Sequence, residues 1–94
     1  MEQRSDISVF DGPKLRTMRQ HQIDPATGRP WSQTILAYRL REEGAPVSAQ
    51  EIAKWEKEYG DPRRAEPQGR YIRALCSIFG CSVDDLYRKR SARA

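Results

Sequence analysis

Apolar residues recur at helical spacing in five stretches of this chain, and no segment of useful length alternates as a half-buried strand does. The first stretch opens at Asp11 or Gly12, with Pro13 in a first turn where its missing amide costs nothing. Leu15 and Met18 point inward from it, and Lys14, Arg16 and Arg19 are expected outside. The second opens at Ser32, a helix cap with Trp31 before it and Leu36 after it as a hydrophobic staple. Leu36, Ala37 and Leu40 form its inward stripe, and Gly44 and Pro46 end it. A fourth helix fits 70–79, closed by Gly80. A fifth starts at Ser82, with Asp85 completing a capping box and Val83, Leu86 and Tyr87 as its apolar residues.

The third stretch, 48–58, is the most informative. Ser48 stands where a helix cap belongs, and Glu51 follows at capping-box spacing, hydroxyl to one free amide and carboxylate to another. Val47 and Ile52 make its staple. At about 100° per residue, Ile52, Trp55, Glu56 and Tyr59 share one side, and Gln50, Ala53, Lys54 and Lys57 the other. A short, pinned helix with small, amide and cationic side chains outward suits a DNA major groove.

Between these stretches lie loops at 24–30, 41–46 and 60–69, rich in proline and glycine. Residues 1–10 read as an arm, ordered only if Ile7, Val9 and Phe10 find a groove, with Arg4 as its one cation. Residues 89–94 read as a basic tail, which leaves one domain over 11–88. Ninety-four residues suffice for a single modest core, and a net charge of +4 favours a polyanionic partner. No apolar run approaches the roughly 20 residues a bilayer needs, and the opening residues lack a signal-peptide segment, so no membrane partner and a cytoplasmic location are expected. Cys76 and Cys81 lie too close together to staple a fold. His21, the one histidine, sits at a helix end as a solvated or capping residue. Without paired carboxylates, a phosphate-cradling glycine loop or metal-ligand spacing, the chain reads as no enzyme, with no cofactor, metal or small-molecule ligand.

Three motifs carry a resemblance. Trp31-Ser32-Gln33-Thr34-Ile35-Leu36-Ala37 resembles the Leu-Ser-Gln-x-x-Leu-Ala opening of the Cro/lambda-repressor-like (XRE) family. Val47-Ser48-x-x-x-Ile52-x-x-Trp55-Glu56 is similar to that family's recognition helix, and Leu75-Cys76 through Phe79-Gly80-Cys81-Ser82-Val83-Asp84-Asp85-Leu86 to its closing segment. The match covers 12 to 87 in order, with Cys76 in the place of a small buried alanine, which implies a core residue and not a reactive thiol. It departs from the family in its longer loops at 24–30, after Leu40 and after Glu56. The resemblance implies an all-α, five-helix lambda-repressor-like helix-turn-helix domain that binds double-stranded DNA as a small repressor-like transcriptional regulator, bacterial or phage. It also implies a second helix whose N-terminus meets a phosphate, joined by Gln33.

Within that frame the expected DNA-binding residues are Gln33, Arg41, Ser48, Ala49, Gln50, Ala53, Lys54, Lys57, Arg63 and Arg64. Gln50 can pair with adenine, Lys54 can reach guanine or phosphate, and Ala49 and Ala53 can meet a thymine methyl. Glu51 can accept from cytosine, but the capping box claims it first. Lys57, Arg63, Arg64 and the tail cations Arg88, Lys89, Arg90 and Arg93 are phosphate candidates, and Tyr38 and Arg41 can touch the backbone. For each, the plainer reading is a solvated face. A weak homodimer, or a dimer formed on DNA, is expected through the fifth helix with Val83, Leu86 and Tyr87 shared between core and interface. The alternative is a protein-interaction module on the same fold; it should expose large apolar residues on the third helix, which Gln50, Ala53, Lys54 and Lys57 are not.

Overall fold

The computed structural model describes residues 6–91. Its elements run β1 (Asp6–Phe10), α1 (Gly12–Gln20), β2 (Ile23–Asp24), β3 (Arg29–Pro30), α2 (Gln33–Glu42), α3 (Ala49–Trp55), α4 (Gly69–Phe79), a 3-10 turn (Val83–Leu86) and β4 (Tyr87–Ser91). The expected all-α, five-helix lambda-repressor-like fold is therefore corrected. Among the described residues there are four α-helices and two two-stranded antiparallel sheets, β1 with β4 and β2 with β3, in a small mixed α/β domain.

The caps explain where the helices start. Asp11 accepts from Lys14 N–H at 3.1 Å, Ser32 from Ile35 at 3.2 Å and Ser48 from Glu51 at 3.1 Å, each relieving a free first-turn amide. The reciprocal half of the box at Ser48 does not form: the Glu51 carboxylate lies 4.0 Å from Lys54 Nζ instead. At Ser82 the carboxylate half does form: Asp85 Oδ2 accepts from the Ser82 backbone N–H at 2.9 Å and from its hydroxyl at 3.1 Å.

The fifth helix nevertheless ends after one turn. Tyr87 is extended (φ −122°, ψ 153°), and from it the chain runs antiparallel to β1 with Phe10 opposite Tyr87, Val9 opposite Arg88 and Ser8 opposite Lys89. The Tyr87 ring meets Phe10 edge-on at 5.8 Å, and Val9 and Phe10 are both buried. The expected arm and tail are thus, over 6–10 and 87–91, two strands of one ribbon. Arg4 and Arg93 lie outside the described residues. The dimer contact expected of a fifth helix is corrected with it: Leu86 is wholly buried in its own core, and of the three shared residues only Val83 is well exposed.

The 24–30 loop is a small hairpin. Asp24 organises its turn, accepting from Ala26 N–H at 3.1 Å and Thr27 Oγ1 at 3.2 Å while its carbonyl takes Gly28 N–H at 2.7 Å. Gly28 has φ 69°, which only glycine reaches without strain. Leu15, Leu36, Leu40, Ile52, Trp55, Leu75 and Leu86 form the heart of the core, each 0–1% exposed. Trp55 packs on Tyr71 at 5.3 Å between ring centres, and the Tyr71 hydroxyl donates to Pro46 O. No helix among the described residues is long and apolar enough to cross a membrane.

Candidate nucleic-acid interface

α3 stops at Trp55, earlier than the 48–58 expected, because the next residues are drawn inward. Glu56 caps the helix, is 8% exposed, and receives Arg19 Nε at 2.7 Å and Nη2 at 2.9 Å. Gln33 Nε2 adds a third bond at 3.0 Å, and Arg19 Nη1 donates to Trp31 O at 2.7 Å. One guanidinium and one carboxylate thereby tie together α1, the end of the hairpin, the first residue of α2 and the end of α3. Gly12 permits this approach: a Cβ there would overlap the carbonyl oxygens of Trp55 and Lys57.

Arg19 was expected on the outside of α1, and it is buried. The spacing carried the signal: Gly12, Leu15 and Arg19 stand three and four residues apart, on one helix face, and all three are buried. Glu56 was expected among the apolar residues of α3, and its pairing supplies the reason it can be there. Tyr59, expected on that same face, lies past the helix, 38% exposed, with the Arg64 guanidinium 5.0 Å from its ring centre.

The outward side of α3 carries exposed Gln50 and Lys54 with half-buried Ala49 and Ala53 beside them, and Ser48 exposed at its start. It adjoins a cleft of about 410 Å³ lined by Arg16, Arg19, Gln33, Ala53, Glu56, Lys57 and Glu58. Because Arg19 is neutralised by Glu56, the free charges there are Arg16 and Lys57 against Glu58. Lys57 is half-buried and stands beyond the helix, so it lines the cleft and is not part of the outward helical stripe. Arg16 completes this cationic edge and was not among the expected contact residues; its place on the first helix near the second was invisible without the fold.

The remaining candidates divide. Arg41 is exposed at the far end of α2, beside a groove lined by Thr34, Ala37, Tyr38, Pro46 and Val47. Arg63 is exposed but engaged by Asp61, whose carboxyl is held below its ordinary value by the backbone and side-chain hydrogen bonds of Arg63. Arg64 is turned inward, donating to Phe10 O at 3.0 Å and pairing with Glu66 at 2.7 Å. It is a strut between the ribbon and the 60–69 loop and not a free cation. Arg88 and Lys89 are exposed on β4, away from the α3 face in sequence and element. A scan of protein-family models and searches of curated proteins and of solved structures find no match to this chain.

Proposed function

We propose that this chain is a sequence-specific binder of double-stranded DNA, a small cytoplasmic repressor-like transcriptional regulator whose α3 enters the major groove. The observation that carries the reading is the outward side of α3. Exposed Gln50 and Lys54 stand beside small alanines, no large apolar side chain interrupts them, and a cleft edged by Arg16 and Lys57 adjoins them. An amide that can pair with one base edge stands beside cations that can meet the phosphates bordering the same groove. Gln33, the first residue of α2, lines that cleft, where the free amides of a helix start favour an anion. Kinship of the α2–α3 unit to the Cro/lambda-repressor-like family belongs to the same proposal and rests on its motifs and its capped helix starts, Ser32 and Ser48.

The test is selection from a random duplex library followed by titration of the winner against salt. With about four to six phosphates neutralised per dimer, the log–log slope should be about −4 to −5. A flat salt response, or no enriched sequence, removes the proposal. One observation favours protein docking as a second reading: Tyr38 on α2 is 65% exposed beside Ala37, Pro46 and Val47. On that reading Tyr38→Ala abolishes partner capture, and Gln50→Ala is silent.

A further inference from the structure

α4 ends in a turn that brings two cysteines together. Gly80 takes the left-handed conformation (φ 63°, ψ 38°), and Cys81 N–H reaches back to Cys76 O at 3.1 Å. That bond is the signature of the Schellman motif, whose geometry sets the third residue from the helix end against the second residue past it. An apolar pair ordinarily occupies those places. Here both are cysteines, half-buried at the edge of the core.

We propose that Cys76 and Cys81 form a dithiol modification site for low-molecular-weight disulfides, which convert the pair to an intrachain Cys76–Cys81 disulfide. The bond from Cys81 N–H to Cys76 O and the left-handed turn at Gly80 set the two side chains next to each other, as closing the bond requires. The roles of the two sulfurs are set by their surroundings. Burial and the neighbouring Cys76 push Cys81 up to about 11, and as part of the same proposal Cys76 attacks first and Cys81 resolves.

In the first step the Cys76 thiolate attacks one sulfur of the small disulfide, forming a mixed disulfide and releasing one small thiolate. That thiolate takes the proton of Cys81. The Cys81 thiolate then attacks Sγ of Cys76 and expels the second small thiolate, which takes from solvent the proton that Cys76 gave up. Two protein thiols are oxidised and one small disulfide is reduced to two thiols. The new bond fastens the end of α4 to the start of the 3-10 turn.

The intact chain, incubated with oxidised glutathione, acid-quenched and weighed by mass spectrometry, should lose the mass of two hydrogens. Its digest should contain a peptide linked between Cys76 and Cys81 that dithiothreitol separates. Cys81→Ser should instead hold a stable glutathione adduct on Cys76. Cys76→Ser should gain its adduct on Cys81 about tenfold more slowly, reflecting the protonated thiol. Circular dichroism confirms that the serine variants are folded, and the wild-type result stands without them. The proposal is overturned if the folded wild type accumulates only stable glutathione adducts, links between chains, or stays reduced while the urea-unfolded chain oxidises.

Discussion

Arg19 and Glu56 are the only charged residues buried among those described, and each makes sense only through the other. Two desolvated charges are tolerated because three hydrogen bonds saturate the carboxylate and the guanidinium has a further carbonyl acceptor. Glu56→Ala strands the guanidinium and should cost about 3–5 kcal/mol in urea unfolding, whereas the double change Arg19→Met with Glu56→Leu should cost much less. Equal losses for the two variants would mean that packing around the pair, not its charge, is what matters. Gln50 is the opposite case, exposed and without a structural duty. Gln50→Ala should leave stability unchanged, cost about 1–3 kcal/mol on a selected duplex, and relax preference at one base pair. Lys57→Ala should weaken selected and random duplexes alike and make the salt slope shallower by about one unit per subunit. Equal losses on selected and random DNA for Gln50→Ala would remove it as a base reader.

At the scale of elements, the helix starts were legible and the strands were not. Asp11, Ser32, Ser48 and Ser82 announce themselves because capping is a local chemistry of a few adjacent residues. β1 and β4 do not, because Asp6–Phe10 finds its partner at the other end of the described chain and Tyr87–Ser91 is mostly cationic, without alternation. The length of α3 was equally hidden. The sequence permits helix past Trp55, and the approach of Gly12, the pull of Arg19 on Glu56 and the capture of the Lys54 carbonyl by Ala65 N–H at 3.2 Å oppose it. Of the candidate site, the outward placing of Gln50 and Lys54 was readable from periodicity, but the place of Lys57 beyond the helix, the inward turn of Arg64 and the arrival of Arg16 required the fold. Gly12→Ala tests the approach: overpacking against the carbonyls of Trp55 and Lys57 should cost about 1–3 kcal/mol in thermal or urea unfolding. The 3-10 turn has a pH signature. The backbone and side-chain bonds from Ser82 hold Asp85 below its ordinary 3.8, so its contribution is present above that value and lost as pH falls through the lower folded one. Amide exchange at Ser82 should rise over that acid range in the wild type and be independent of pH there, once corrected for intrinsic exchange, in Asp85→Asn.

On the scale of the whole molecule, the cleft edge, the α3 stripe and the capped start of α2 form one polar surface, while the ribbon and α4 contribute Phe10, Ile72, Ala74 and Leu75 to the core. If the proposed function holds, one such surface would serve one half-site, and a dimer on DNA would appear as two copies per selected duplex in sedimentation, with half-sites near one helical turn, about 10 base pairs apart. One copy per duplex at saturation would reject it. The β1–β4 pairing also bears on how the chain comes to be folded. Contacts between distant segments wait on the loss of chain entropy that brings those segments together, and so form late. Phe10 is 1% exposed in the finished domain, yet its cover, Tyr87 and Leu86, is synthesised last among the described core residues. On a ribosome, Phe10 is made early and buried late. Through that interval an apolar strand with open backbone edges is exposed to whatever surrounds the nascent chain.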